Sequence, residues 1–406
     1  MIRPSRFRSK ALLAACLALL LSTGLAACAA PPALTAESAI LVDAATGQVL
    51  FQKNAHQQRP IASTTKIMTA LLAIEHGSLQ DPASVSKEAA AIEGSRLGLQ
   101  AGDLIRVDAL LNALLIRSAN DAAVVLAEHI GPGRPRFVEL MNRRAWQLGA
   151  YETHFANPHG LYDPNHYSTA YDLALISREA MKQPLFRELV GTRTCSLIRP
   201  DGSEFPLINH NKLLFRDPAV DGIKTGYVKE SGRCLVASAS HGGWRLIAVL
   251  LNSTDLWGDG KALLDYGFAN WQATVFAGVD IPVTRLRVIG GRTGRIPILP
   301  QENLVEVRSL QAEKSGAEAQ LELQRLFAPV RRGQVVGRLR LVREGREVGG
   351  TLLLAGADSE PALWLTALRI LGRIILVCAI AVAGLKLYGK IAKAARRRRR
   401  RLPAEG

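Results

Sequence analysis

The sequence has too few cysteines for a disulfide framework. It contains five in 406 residues, and three of them, Cys16, Cys28 and Cys378, lie in or beside apolar terminal segments. Only Cys195 and Cys234 remain for a folded region, so a small secreted scaffold held by several disulfides is excluded. Two alternatives fit this pair: a single bridge formed after export, or two separate small apolar side chains.

The sequence also lacks a basic region suited to nucleic acid. The net charge is +16, but the first ten residues carry +4 and residues 386–406 carry +8. The remaining +4 is spread over the rest of the chain, which leaves no basic face to hold a phosphate backbone. Nucleic-acid binding is therefore excluded.

A metal-ligand motif is missing as well. His154, His159 and His166 lie near one another in the sequence, but their spacing matches no metal-binding pattern. We interpret them as surface or loop histidines, and we expect no metal and no other cofactor.

The N-terminus has the pattern of a secretory signal peptide, which we predict over residues 1–30. Four cations lie within the first ten residues, and residues 11–21 are almost entirely apolar. Two processing routes fit the small residues that follow: cleavage among the alanines near residue 30, or acylation of Cys28 in a lipoprotein box.

The C-terminus has the pattern of a membrane anchor over residues 363–388, followed by a basic tail, residues 389–406. The uninterrupted apolar stretch 374–385 is shorter than the about 20 residues of a span, so Arg369 and Arg373 would have to snorkel. A helix lying flat in the headgroup layer is the alternative. The positive-inside rule places the tail in the cytoplasm, which predicts a cell-membrane protein whose folded region between the two termini lies on the extracytoplasmic side.

The hydrophobic pattern between these termini predicts two domains. Residues 31–271 have strand patterns at both ends and helical patterns between them, which indicates an α+β fold in which a helical cluster covers one antiparallel sheet. Residues 272–358 show short alternating segments with glycine and proline between them, which is typical of a small all-β domain.

The predicted secondary structure follows these periods. Strands are expected at residues 39–42, 48–52, 222–227, 233–239 and 244–251. Helices are expected at residues 63–76, 108–115, 121–129, 136–148, 169–181, 184–190 and 256–268.

Ser63 and Lys66 lie at the predicted start of an apolar helix, just after Pro60. Three residues are about one helical turn, so the Lys66 amine lies on the same face as the Ser63 hydroxyl. A serine needs a base to act as a nucleophile, and a lysine serves when burial or a neighbouring cation lowers its pKa. Alone the spacing is weak, since a helix-capping serine followed by a solvated lysine gives the same pattern.

Two further motifs strengthen this interpretation. Ser118 and Asn120 lie where the apolar period of the surrounding helices is interrupted, so their side chains can face a cleft; a helix cap is the structural alternative. Lys224 and Thr225 lie on a predicted strand, where Gly226 leaves room for a substrate backbone; a polar edge strand is the alternative. The order of the three motifs is that of penicillin-binding proteins and serine β-lactamases.

The chain resembles the low-molecular-mass penicillin-binding proteins that are D-alanyl-D-alanine carboxypeptidases, peptidase family S11. The resemblance covers about residues 36–270 and is carried by residues 61–70, 157–161, 166–170 and 220–227. It implies a β-lactamase and transpeptidase-like catalytic domain, a β-rich C-terminal domain and a membrane anchor. The implied reaction removes the terminal D-alanine of peptidoglycan stem peptides, with β-lactam antibiotics as covalent inhibitors.

The resemblance also implies the catalytic roles. Ser63 would attack the carbonyl between two D-alanines and form an acyl-enzyme, and Lys66 would take the serine proton. Ser118 would relay a proton to the leaving amine, while Asn120 would orient Lys66 and bind the peptide.

Substrate binding is implied for the strand motif. Lys224 and Thr225 would hold the terminal carboxylate beside Gly226, and the backbone N–H groups of Ser63 and Tyr227 would form the oxyanion hole. One departure is visible: the family pattern leads us to look for an arginine after the last strand, and residues 254–260 contain none. Carboxylate recognition is therefore expected to rest on Lys224 and Thr225 alone.

Two alternative functions fit the sequence less well than this interpretation. A serine β-lactamase needs a glutamate to activate the deacylating water, and Glu152 lies five residues before Asn157 rather than the four of the β-lactamase loop. A catalytically inactive cell-wall-binding module would keep the fold without the chemistry, but all three motifs are intact.

Overall fold

The computed structural model describes residues 30–199, 201–311 and 317–399. The predicted signal peptide, Cys28 and the last residues of the basic tail lie outside these ranges. The described chain divides into two compact units. One contains the residues up to Ala273 with a short segment from Val307, and the other contains Thr274–Glu306 and the residues from 317 onward.

Nine strands, numbered here in chain order, lie wholly within the described residues of the first unit, and the strands Trp271–Ala277 and Leu304–Ser309 cross its boundary with the second unit. The nine are β1 (Ser38–Asp43), β2 (Val49–Lys53), β3 (Pro82–Ser84), β4 (Leu104–Arg106), β5 (Thr194–Ile198), β6 (Glu204–Ile208), β7 (Val220–Val228), β8 (Gly232–His241) and β9 (Trp244–Ser253).

The helices lie mainly between β2 and β7. They are α1 (Lys66–His76), α2 (Lys87–Ala91), α3 (Val107–Asn112), α4 (Asn120–Ile130), α5 (Arg134–Gln147), α6 (Ala170–Ala180), α7 (Pro184–Gly191), α8 (Leu213–Arg216) and, after β9, α9 (Leu256–Asn270).

The main sheet joins the two ends of this unit. Its order is β2-β1-β9-β8-β7, and every neighbouring pair is antiparallel. The predicted antiparallel sheet built from distant parts of the sequence is confirmed. β7 lies at an edge of this sheet, so one row of its backbone groups can meet a partner other than a strand.

Two central helices organise the helical cluster, and both are buried over their first eight residues. In α1 the buried run is Lys66–Ala73, and in α4 it is Asn120–Ala127. A helix that is buried on all sides belongs to the interior of a domain. Lys66 and Asn120, the first residues of these helices, are therefore held at fixed positions in the interior of the unit.

The prediction differed from the structure in the segments that precede these helices. The expected helix 63–76 begins as a 3₁₀ turn, Ala62–Thr65, and the expected helix 108–115 ends at Asn112 and continues as a π-helical segment, Ala113–Arg117. The hairpin of β5 and β6 was not predicted. Periodicity does not distinguish 3₁₀ or π turns from an α-helix over so few residues.

The two cysteines of the first unit are free. Cys234 is buried and Cys195 is partly buried, and burial raises the pKa of both thiols, that of Cys234 to about 11. Of the two alternatives drawn from the sequence, the pair of separate small side chains is the one present.

The second unit is rich in strands, as predicted. After β10 (Trp271–Ala277) come β11 (Thr284–Ile289), β12 (Arg295–Pro300), β13 (Leu304–Ser309), β14 (Glu318–Leu323), β15 (Leu326–Phe327), β16 (Val335–Arg343) and β17 (Arg346–Ala355). Six of these form a sheet of order β14-β16-β17-β12-β11-β15, in which β11 and β15 are parallel and the other pairs antiparallel.

A long helix, α10 (Leu363–Arg399), ends the described chain. Its segment Ile370–Lys393 is long and apolar enough to cross a membrane by length and composition. The helix continues past residue 388, where the sequence predicted a separate basic tail.

Gly160 offers a test of how closely the loops support the 3₁₀ turn. Its φ is +85°, and a Cβ there would collide with the Ala62 carbonyl oxygen and lie 2.9 Å from Thr65 Oγ1. In Gly160→Ala the alanine is strained by the positive φ, and its Cβ also overpacks the contact with Ala62 and Thr65. We expect this overpacking to lower the free energy of unfolding by about 1–3 kcal/mol beyond the effect of the backbone strain.

Gly102→Ala is the matched control, since Gly102 has a φ of +94° but open space around its Cβ position. Chemical denaturation of both variants measures the difference. Equal losses of stability in the two variants would show that the Gly160 loop is not packed against the turn.

Candidate active site

Ser63 lies in a 3₁₀ turn that is held by its own threonines. Thr64 Oγ1 donates to the Ile61 carbonyl oxygen at 2.6 Å, and Thr65 Oγ1 donates to the Ala62 carbonyl oxygen at 2.7 Å. Threonine hydroxyls that bond back to nearby carbonyls compete with regular helix. The turn therefore places Ser63 immediately before the regular helix that starts at Lys66.

Lys66 is fully buried and its amine has three oxygen neighbours. Nζ lies 2.9 Å from Ser63 Oγ, 2.7 Å from Asn120 Oδ1 and 2.6 Å from the His159 carbonyl oxygen. The predicted pair of hydroxyl and amine is thus in direct contact.

The three neighbours fit either protonation state of the amine, because a charged lysine has three N–H donors and a neutral lysine has two. The amide oxygen of Asn120 and the carbonyl oxygen of His159 can only accept, so they take the two N–H bonds of a neutral lysine. Toward a charged amine the Ser63 oxygen accepts the third N–H bond, whereas toward a neutral amine the Ser63 hydroxyl can donate to the remaining lone pair on Nζ. In the neutral form the hydroxyl is therefore aligned for proton transfer to the lysine.

The surroundings lower the pKa of Lys66 well below its ordinary value of 10.5. Burial is the largest cause, the positive charge of Lys224 is the second, and Asp121 acts in the opposite direction. The Asp121 carboxylate itself is held by the backbone N–H groups of Leu97 and Gly98, at 3.0 and 2.8 Å. The fold therefore favours the unprotonated amine that a general base requires.

Ser118 and Asn120 are brought to the same place by an interruption of helical structure. The π-helical segment Ala113–Arg117 ends at Ser118, which has a φ of +63°, and α4 then starts at Asn120. Asn120 Nδ2 donates to the Glu93 carbonyl oxygen at 2.7 Å, which fixes the orientation of the amide toward Lys66. Both side chains are buried.

The strand β7 runs directly beside the nucleophile. A Cβ placed on Gly226 would lie 2.9 Å from the Ser63 backbone nitrogen and 3.0 Å from the Ala62 Cβ, so only glycine allows this approach. Lys224 is buried, and its Nζ donates to the Thr225 carbonyl oxygen at 3.1 Å. Burial lowers the pKa of Lys224 to about 7.

Ser63, Ser118 and Thr225 open onto one cavity of about 270 Å³, whereas Lys66, Asn120 and Lys224 are buried behind it and are not among its lining residues. It is lined by Ser63, Ser95, Ser118, His210, Thr225, Gly226, Tyr227, Arg233, Leu256 and Trp257. The cavity brings together parts of all three motifs. A larger cavity of about 920 Å³ in the second unit has a mostly apolar lining that includes Phe327 and Trp364, with no serine among its lining residues.

Several cavity residues were not identified from the sequence. Ser95 lies in an irregular loop, and His210 follows the β5–β6 hairpin, so no local periodicity marks either of them. Arg233 could have been identified from the sequence, because the register of the β7–β8 hairpin pairs it with Tyr227.

Of the surface and loop positions expected for the histidines, His159 and His166 have loop positions, and both are buried there. Burial is the main cause that lowers their pKa values, to about 3 for His159 and about 4 for His166. The Ala156 N–H donates to His166 Nδ1 at 3.0 Å, and His166 Nε2 lies 2.7 Å from Thr65 Oγ1, whose own proton is used toward Ala62. His166 is therefore a neutral donor that supports the nucleophile turn.

Within residues 30–199, 201–311 and 317–399, no group of three or more His, Cys, Asp or Glu side chains is arranged to hold a metal ion.

Comparison with known proteins gives consistent matches. The family described as D-alanyl-D-alanine carboxypeptidase, peptidase S11, matches residues 26–255. The D-alanyl-D-alanine carboxypeptidase DacF of Bacillus subtilis is 32% identical over 82% of this chain and 88% of its own length. The D-alanyl-D-alanine carboxypeptidase DacA of Haemophilus influenzae is 31% identical over 80% of this chain and 85% of its own length.

Solved structures of penicillin-binding proteins and DD-transpeptidases also align with this chain. Penicillin-binding protein 5 from Haemophilus influenzae aligns with a TM-score of 0.66 and 29% identity, covering 82% of this chain and 99% of that chain. A variant of a Streptomyces DD-transpeptidase aligns with a TM-score of 0.56 and 32% identity over 59% of this chain and all of its own.

The coupling of the two lysines predicts a shift in pH dependence. In Lys224→Gln the neighbouring positive charge is lost, so protonation of Lys66 becomes easier and its pKa rises. We expect the acid limb of the rate of serine acylation by a fluorescent penicillin to move to higher pH, in addition to any loss in maximum rate.

Lys229→Gln is the matched control, because Lys229 is an exposed lysine in the turn after β7. Its acid limb should coincide with that of the wild type. An unchanged acid limb in Lys224→Gln would mean that Lys224 does not influence the base.

Proposed function

The chain belongs to the D-alanyl-D-alanine carboxypeptidase family, peptidase S11, and we propose that it removes the terminal D-alanine from peptidoglycan pentapeptides through an ester formed on Ser63. The enzyme is a serine-type, penicillin-binding carboxypeptidase. The observation that carries the proposal is the 2.9 Å contact between Ser63 Oγ and a buried lysine amine whose other two partners can only accept.

In the first step Ser63 Oγ attacks the carbonyl carbon between the two D-alanines. The hydroxyl proton passes to Lys66 Nζ, which its surroundings keep unprotonated in the free enzyme. Asn120 Oδ1 holds Lys66 in place, while Asn120 Nδ2 donates to the Glu93 carbonyl oxygen. The peptide-binding role that the resemblance implies for Asn120 stays a prediction. Direct contact of nucleophile and base lets the proton move without diffusion of either group.

The charge that develops on the carbonyl oxygen would be stabilised by the backbone N–H groups of Ser63 and Tyr227. The close approach of Gly226 to Ser63 supports this pairing, since Tyr227 follows Gly226 directly. One such donor is typically worth about 10² to 10³ in rate. Ser118, which lines the same cavity, would pass a proton to the amine of the leaving D-alanine.

The acyl-enzyme is then hydrolysed by water, which releases the tetrapeptide and restores Ser63. β-Lactam antibiotics would acylate the same serine and act as covalent inhibitors. The β-lactamase alternative loses its candidate base, because Glu152 lies at the surface, 2.8 Å from His56 Nδ1, with both side chains exposed. The contact between Ser63 and the Lys66 amine, together with Ser118 and Thr225 in the same cavity, also favours an enzyme over an inactive wall-binding module.

We also propose the domain organisation and location. Residues 31–271 form the catalytic domain, residues 272–358 a β-rich C-terminal domain, and residues 363–388 hold the protein at the cell membrane. The apolar surface of Ile370–Lys393 and the cations that follow it support an orientation with the catalytic domain on the extracytoplasmic side.

Ser63→Ala tests the nucleophile. We expect the wild type to convert a pentapeptide ending in D-alanyl-D-alanine to a tetrapeptide, with loss of one alanine by mass spectrometry. The variant should lose at least about 10³-fold in rate, because Ser63 is the cavity serine whose hydroxyl contacts the Lys66 amine. Ser84→Ala, at an exposed serine on β3, should match the wild type. Equal turnover by wild type and Ser63→Ala would refute the assignment.

Truncation tests the anchor. A chain that ends at residue 358 should appear in the soluble fraction, whereas the full chain should stay with membranes after an alkaline carbonate wash, which removes proteins held only by charge. Protease added to intact spheroplasts should digest the catalytic domain of the full chain. Protection of the catalytic domain would contradict the proposed topology, and retention of the truncated chain in membranes when it also carries Cys28→Ala would contradict the anchoring role of residues 363–388.

A further inference from the structure

Arg233 occupies the wall of the catalytic cavity without a role in the reaction described so far. It lines the same cavity as Ser63, Ser118 and Thr225. It is the second residue of β8 and lies opposite Tyr227 on β7 in the antiparallel register. Thr225 is two residues before Tyr227, so Arg233 and Thr225 are diagonal neighbours on one face, within reach of a long side chain.

The backbone that carries Arg233 is fixed by a serine in the preceding turn. The Val228 N–H donates to Ser231 Oγ at 3.2 Å, and Ser231 Oγ donates to the Gly232 carbonyl oxygen at 2.9 Å. Ser231 is itself buried. The β7–β8 turn therefore sets where Arg233 leaves the sheet.

The guanidinium of Arg233 has donors to offer a ligand. Its Nη1 donates to the Thr254 carbonyl oxygen at 3.4 Å, but the described part of the chain gives it no carboxylate partner in an ion pair. The residues that line the cavity include no Asp or Glu. An exposed guanidinium at the wall of a cavity with no acidic lining is suited to an anion.

We propose that Arg233 binds the C-terminal carboxylate of the substrate, together with the Thr225 hydroxyl. This proposal rests on the proposed carboxypeptidase function, whose substrate carries its terminal carboxylate one residue from the bond that is cleaved. The planar fork of a guanidinium matches the two oxygens of a carboxylate, which a lysine amine does not.

The proposal changes the expectation that Lys224 and Thr225 recognise the carboxylate alone. Lys224 is buried and donates to the Thr225 carbonyl oxygen, and burial lowers its pKa to about 7. Its positive charge is therefore only partly present at neutral pH, whereas an arginine stays charged. The loop after β9 has no arginine of its own, but the Arg233 guanidinium reaches that loop at Thr254.

The test compares two peptides that differ only at the carboxyl terminus. One ends in D-alanyl-D-alanine with a free carboxylate, and the other ends in the corresponding carboxamide. For Arg233→Gln we expect kcat/KM on the free carboxylate to fall about 10- to 100-fold, mainly through KM, as for the loss of a charged hydrogen bond. On the carboxamide the variant and the wild type should agree within about 2-fold.

Two further variants complete the design. Arg233→Lys should keep part of the preference for the carboxylate, because it retains the charge without the fork, and it carries the comparison if Arg233→Gln does not fold. Arg136→Gln is the control for loss of a positive charge, since Arg136 is exposed on α5 and pairs with Glu139.

Two results would overturn the role of Arg233 alone: an unchanged kcat/KM on the free carboxylate, or an equal loss on both peptides, which would indicate a structural effect. A wild type that releases no D-alanine from the free carboxylate peptide would instead refute the proposed function, and this proposal with it.

Discussion

The buried amine of Lys66 is the constraint on which the rest of the site depends. Two acceptors that cannot donate, Asn120 Oδ1 and the His159 carbonyl oxygen, hold it on one side, and Ser63 is the remaining partner. A charged lysine in this position would lose its hydration, so burial and the nearby Lys224 favour the neutral form. The chemistry then needs only a substrate carbonyl placed beside the hydroxyl.

The fold supplies this constraint through the starts of its two central helices. Lys66 begins α1 and Asn120 begins α4, and both helices are buried over their first eight residues. Burying lysines has an energetic cost. The folded state binds fewer protons than the unfolded state between the lowered pKa of Lys224, about 7, and the ordinary value of 10.5, so this contribution to stability improves as pH rises through that window. The large apolar core around α1 and α4 offsets the cost.

Much of the fold could be predicted because it follows from hydrophobic period. The strands at both ends of the first unit and the main helices lie within a few residues of the predicted limits, since long amphipathic segments have a clear repeat. The short 3₁₀ and π segments and the β5–β6 hairpin were not found. They depend on side-chain hydrogen bonds and tertiary packing, which a local pattern does not contain.

The candidate site shows the same division. The motifs that begin at Ser63, Ser118 and Lys224 could be recognised from residue types and spacing, whereas the His159 carbonyl contact could not, because a backbone oxygen has no signature in the sequence. Arg233 was overlooked because an arginine was sought after β9 and not on β8. Hairpin register, which pairs Arg233 with Tyr227, would have located it.

The state of the Lys66 amine is the central claim, and NMR titration of the enzyme with isotopically labelled lysine side chains measures it directly. One lysine signal that is absent from Lys66→Met should titrate well below 10.5 in the wild type. If the signal assigned to Lys66 instead titrates together with the exposed lysines, Lys66 is protonated in the free enzyme and cannot be the base that activates Ser63.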